Sequence, residues 1–198
     1  MAKNNKNLIV GLDIGTSSVK TIIASINEDN EIDFLGKGSA KSLGMKRGMV
    51  IDIHSTVQSI KKSVEEAELL AEEEIKSVYA TISGNHIESY DANGRAAISD
   101  NKEVTQDDLS SVEESAKAIT LSNEQEILHV LPKDYEIDGQ DGIKVPLGMS
   151  GIAIDGRYHL VIGAKNARDN IEKCIKKMFY SARGNCFGAI GFKYVCFN

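Results

Sequence analysis

The pattern that most constrains this chain lies near its start. Two apolar, β-branched runs, Leu8–Asp13 and Val19–Ile26, flank a tip that carries Gly15, Thr16, Ser17 and Ser18. This reads as a β-hairpin with a polar, backbone-rich turn. Gly15 has no Cβ, so the main chain can approach a ligand closely. Thr16, Ser17 and Ser18 offer N–H groups and hydroxyls suited to phosphate oxygens. Asp13 ends the first strand, placed to hold a hydrated Mg²⁺. Lys20 begins the return strand and supplies a point charge. On spacing alone, an ordinary hairpin with a hydroxyl-rich turn accounts for these residues equally well.

The remaining periodicity predicts an α/β chain. Ile32–Gly38 is expected as a third strand and Gly44–Ile53 as an extended loop. Ser55–Glu74 is expected as an amphipathic helix, with Val57, Ile60, Val64, Ala67 and Ala71 on one face. Its run of glutamates reads as a solvated face. Ile75–Ser83 alternates like a strand packed under that helix, in a parallel arrangement. Beyond Gly84 the texture changes. Asn93-Gly94 and Asp155-Gly156 read as hairpin turns, and Pro132 as a break between strands Glu126–Leu131 and Tyr135–Asp138. Thr105 with Asp108 opens a helix as an imperfect capping box. Asn166–Met178 reads as a further helix. The chain therefore divides into 1–84 with 164–178, an inserted α+β block over 85–163, and a tail over 179–198.

That tail has a different composition. It holds six of the eleven aromatics, and no acidic residue follows Glu172. All three cysteines (Cys174, Cys186, Cys196) fall within the last 25 residues, without C-x-x-C spacing or clustered histidine, which argues against zinc. The abrupt change reads as a stretch foreign to the fold, of the kind a frameshift or early stop near residue 178 produces. Elsewhere the chain has a soluble globular composition, 26% charged and 41% hydrophobic. Its net charge of −6 argues against nucleic acid as a partner and against attraction to an anionic membrane. His54, His86, His129 and His159 are scattered, one per segment, and read as satisfied structural histidines. No hydrolase elbow, catalytic triad or Rossmann fingerprint is present, so no catalytic residue is assigned.

The hairpin string resembles the first phosphate motif of the superfamily of actin, the heat-shock chaperone ATPases and the sugar kinases. Five further segments narrow the resemblance to the FtsA family of bacterial cell-division proteins: Gly44–Asp52, Ser77–Ile87, Val104–Asp108, Ile127–Asp138 and Gly142–Gly151. A truncated sugar or acid kinase, or a pilus-assembly ATPase of the same superfamily, is the alternative. The resemblance implies the first lobe of an actin-like, ribonuclease H-like α/β fold with an inserted small α+β subdomain, 1C. It implies ATP with Mg²⁺ as ligand, contacted by Asp13, Gly15, Thr16, Ser17, Ser18 and Lys20, with Asp13 reaching the metal through water. It implies a cytoplasmic scaffold at the division site, at most a weak ATPase. By family its partners are FtsZ and late division proteins, with self-association through 1C and membrane attachment through a C-terminal helix. A second lobe and that helix have no counterpart in this sequence, so weak or absent ATP binding is expected of this chain.

Overall fold

In the computed structural model, residues 7–99, 102–183 and 192–196 are described. The chain divides into two compact units, Ile87–Lys165 and the remainder on either side of it, Met1–His86 with Asn166–Asn198.

The first unit is built on a five-stranded sheet whose strands lie in the order Phe192–Cys196, Val78–Ile82, Asn7–Ile14, Ser18–Ile26 and Ile32–Lys41. Strands β1 (Asn7–Ile14), β2 (Ser18–Ile26) and β3 (Ile32–Lys41) form an antiparallel meander, and β6 (Val78–Ile82) runs parallel to β1. Alternation gives the sheet its buried face. Val10, Leu12, Ile14, Val19, Ile23, Val78, Ala80 and Ile82 are all buried, together with Thr21. On the other face Lys20, Ile22 and Phe34 are exposed.

Helix α1 (Ile53–Ala71) starts at Asp52, whose side chain accepts the Ser55 N–H, and ends where Glu72 turns left-handed at φ 53°. It lies across β3 and β2, not over β6 as the sequence order suggests. Small residues explain the choice. Ser63 and Ala67 of α1 lie so close to the β3 backbone that a Cβ on Gly38 would sit 1.8 Å from the Ser63 carbonyl oxygen. A Cβ on Gly36 would sit 2.7 Å from that of Ala67. The hydroxyls buried at this contact are satisfied: Thr21 and Ser63 are 2.8 Å apart, and Ser63 donates to the Gly38 carbonyl. Between β3 and α1, the segment expected as extended loop folds into a small hairpin of β4 (Met45–Lys46) and β5 (Met49–Val50).

The second unit is a four-stranded sheet, β7-β10-β8-β9, covered on one face by a helix. Its elements are β7 (Glu88–Ala97), α2 (Gln106–Lys117), β8 (Gln125–Ile137), β9 (Gln140–Ile143) and β10 (Ala153–Ala164). Two expected hairpins are absent. Asn93-Gly94 and Asp155-Gly156 both lie inside continuous strands, and Gly94 pairs directly with Gly156. The reason is α2. A Cβ on Gly94 would meet the Val112 carbonyl oxygen at 1.9 Å, and one on Gly156 would meet the Val112 side chain at 2.7 Å. The paired glycines form a flat spot on which the helix rests. The true two-residue turn is Asp138-Gly139, where both φ angles are positive and Ile137 pairs with Gln140. Pro132 does not break β8 either. The pairing skips Lys133 between Tyr158↔Pro132 and Arg157↔Asp134, and this bulge accommodates the proline. The capping box on α2 is complete, with Thr105 and Asp108 bonding to each other's backbone N–H.

Helix α3 (Lys165–Arg183) runs past Met178, and Phe179 is buried. Strand β11 (Phe192–Cys196) pairs in parallel with β6 at the edge of the first sheet. Part of the compositionally distinct tail thus continues a helix and adds a strand; the rest lies outside the described residues, as does the side chain of Cys186.

Candidate functional site

The β1–β2 connection brings the predicted phosphate residues together at one exposed corner of the first unit. The turn is closed by the Gly15 N–H donating to the Ser18 carbonyl at 3.1 Å. A Cβ on Gly15 would stand 3.0 Å from that same oxygen, so the closure is tight for any larger residue. Closure on Gly15 and Ser18 leaves Thr16 and Ser17 at the apex, both exposed. Among the described residues, their N–H groups have no acceptor. Two adjacent unspent N–H donors at an exposed turn are free to meet the acceptor atoms of a ligand.

Asp13 and Lys20 face each other across the β1–β2 ladder, and both are exposed. The Asp13 carboxylate is anchored from the other side: the Thr81 hydroxyl of β6 donates to Oδ1 at 2.7 Å. The second carboxylate oxygen stays available to a hydrated cation. The donor set, one oriented carboxylate, free backbone N–H groups and a lysine, suits a magnesium-bound polyphosphate. Gly11 lies two residues before Asp13, and a Cβ there would meet nothing within 4 Å, so the face beside the carboxylate is open.

Two contributors escaped the sequence reading. Thr81 sits on the strand beside β1, and only the parallel register brings it to Asp13. Gly48, at the tip of the β4–β5 hairpin, donates its N–H to the Thr16 hydroxyl at 3.1 Å. This ties a segment 32 residues away to the phosphate turn. Alternation along β6 marks Thr81 as outward-facing, but nothing in the sequence gives its partner.

His86 departs from the expectation of a satisfied structural histidine. Both ring nitrogens of His86 are buried and have no hydrogen-bond partner among the described residues. Burial pushes its pKa down, so the ring is neutral near neutrality. His159 is paired, with Nδ1 2.8 Å from Asp91. Asp91 also accepts from Lys133 at 2.8 Å, and these two partners hold its carboxyl below the usual range. Cys174 is buried and free, and burial raises its thiol to about 11. Among the described residues, no helix is long and apolar enough to cross a membrane.

Comparison with known proteins decides among the members of the superfamily. Residues 84–162 match the family described as the SHS2 domain inserted in FtsA. The cell division protein FtsA of Pseudomonas aeruginosa is 42% identical over 170 residues, 86% of this chain and 40% of that protein. The chain belongs to the FtsA family. FtsA of Neisseria meningitidis is 44% identical over 166 residues, 84% of this chain and 40% of its own. With FtsA of Borreliella burgdorferi the identity is 34% over 191 residues, 96% of this chain and 46% of that one. The chain thus spans less than half the length of these FtsA relatives. Among solved structures, one titled as the PilM–PilN type IV pilus biogenesis complex superposes with a TM-score of 0.57 at 16% identity. It covers 86% of this chain and 44% of the other, a likeness of fold. The architecture is an actin-like lobe with an inserted SHS2 subdomain.

Proposed function

We propose that this chain is the nucleotide-sensing first lobe of an FtsA-type division scaffold. The β1–β2 turn takes the phosphates of ATP on the Thr16 and Ser17 N–H groups, with Gly15 permitting the closure and Ser18 adding a hydroxyl. Lys20 contributes charge, and Asp13 holds Mg²⁺ through water. The observation that carries this reading is the pair of unspent N–H donors beside an anchored, outward-facing carboxylate, in a chain of the FtsA family. Bound Mg²⁺ would neutralise phosphate charge; the chain's own residues orient and bind.

A complete protein of this type would link FtsZ to the cytoplasmic face of the membrane at the division site and recruit late division proteins. Its self-association would run through the inserted subdomain, and its ATP turnover would be slow or nil. A kinase reading is less well supported, because the inserted SHS2 subdomain is a feature of the FtsA match.

One lobe leaves much of a nucleotide in water, whereas ligand sites usually bury about 70–90% of such a ligand. Binding weaker than about 10 μM, or about −7 kcal/mol, is therefore expected. Thermal unfolding with and without MgATP tests this. Ligand at ten times Kd adds about 1.4 kcal/mol of stability, which raises Tm by about 3–5 °C for a chain of this size. Asp13→Asn should abolish the Mg²⁺-dependent part of the shift. An unchanged Tm at millimolar MgATP would contradict the proposal.

A further inference from the structure

The β4–β5 hairpin carries a residue that its own fold does not explain. Met45 pairs with Val50 and Lys46 with Met49, so the connection is the two-residue turn Arg47-Gly48. Both φ angles are positive, 52° at Arg47 and 80° at Gly48. This is the pattern of a type I′ turn, whose first position strongly favours Asn, Asp or Gly. A long side chain there costs stability relative to asparagine. Gly48 is required on steric grounds, because a Cβ would lie 2.2 Å from the Ser83 carbonyl oxygen. Nothing comparable requires Arg47. It is exposed and forms no ion pair or side-chain hydrogen bond among the described residues.

The position of the turn supplies the reason for an arginine. Its backbone is bonded on one side and closely packed on the other. The Gly48 N–H donates to the Thr16 hydroxyl at the phosphate turn. The Arg47 carbonyl lies 3.1 Å from where a Cβ on Gly84 would stand, just past the end of β6. The residue next to Gly48 therefore starts beside the unspent N–H groups of Thr16 and Ser17. A guanidinium that starts there, with no carboxylate partner, matches a polyphosphate, which it can grip with two parallel hydrogen bonds.

We propose that Arg47 is a further phosphate-binding residue: the β4–β5 turn is a clamp that presents its guanidinium to the outer phosphates held at the β1–β2 turn. The unfavourable backbone position is kept because it aims the charge. This rests on the nucleotide reading above. It adds a second, cationic wall to the site, contributed by a separate hairpin and coupled to the phosphate turn through Thr16.

The clamp gives stability and binding opposite signs in one variant. Arg47→Asn replaces a disfavoured residue with the favoured one. It should raise the ligand-free Tm by about 2 °C or more, yet weaken ATP and inorganic tripolyphosphate binding about five- to tenfold. Adenosine binding should not change. Arg47→Lys keeps the charge but loses the two-bond grip, so its affinity should fall between that of the wild type and that of Arg47→Asn. Affinities would be read from amide shifts of Gly15–Ser18 in the labelled chain, and stability from unfolding without ligand. Three results overturn the clamp: unchanged tripolyphosphate affinity in Arg47→Asn, an equal loss for adenosine, or a fall in Tm alongside affinity. If the wild-type chain binds neither tripolyphosphate nor ATP, the nucleotide reading itself fails and takes the clamp with it.

Discussion

Glycines at single positions decide where the helices can lie. At Gly38 a Cβ would penetrate to 1.8 Å from the Ser63 carbonyl oxygen, so Gly38→Ala must push α1 off β3. The expected cost is about 2–3 kcal/mol, the upper range for overpacking a well-filled core. Gly11→Ala is the matched control. It meets open space in an extended strand and should be neutral or stabilise by about 0.5 kcal/mol. Urea unfolding midpoints of the two variants check this, and equal losses would show that the sheet tolerates no Cβ at either place for some other reason. The same scale explains what was legible in the candidate site. Asp13, Gly15, Thr16, Ser17, Ser18 and Lys20 lie close in sequence, so one hairpin assembles them. Thr81 and Gly48 reach them only through the fold, by a strand register and a second hairpin.

Elements were legible where local pattern and tertiary packing agree. The meander, α1 and α2 follow from periodicity and caps. Asn93-Gly94 and Asp155-Gly156 carry hairpin chemistry, yet sit mid-strand because α2 needs a surface without side chains. A strong local turn signal lost to packing across the sheet, which no window along the chain can display. At Arg47-Gly48 the reverse holds: a two-residue turn forms without the favoured residue in its first position. Capping of α2 yields a pH prediction. The Thr105 backbone N–H, followed by its hydroxyl and by the Ser99 N–H and hydroxyl, holds the Asp108 carboxyl below its ordinary value. A folded-state pKa below the unfolded one stabilises the fold above the unfolded value, about 3.9, and that contribution is lost as pH falls through the folded value. Asp108→Asn should therefore unfold at lower urea than wild type at pH 7. The gap should close in acid, below about pH 4. A gap that stays constant from pH 7 to pH 3 would assign the loss to packing instead of charge.

At the scale of the molecule, two units share one chain. An actin-like lobe carries the candidate phosphate site, and an SHS2 subdomain follows its sixth strand. The class of fold was legible because alternating strands and amphipathic helices fix it. The contribution of the tail was not, since composition alone gives no hint that Phe192–Cys196 pairs with β6. The lobe also has a cavity of about 310 Å³ lined by Ile22, Phe34, Lys37 and Glu66, which shares Lys20 with the phosphate corner. On the reading proposed above, the phosphate corner, and not this cavity, receives a nucleotide. The most direct measurement is a titration of the isotopically labelled chain with MgATP to several millimolar, followed through its amide resonances. Saturable shifts are expected to centre on Gly15–Ser18, with Gly48 and Thr81 moving alongside, and to be lost in Asp13→Asn. Shifts confined to Ile22, Phe34 and Lys37, or none at the hairpin turn, would contradict that reading.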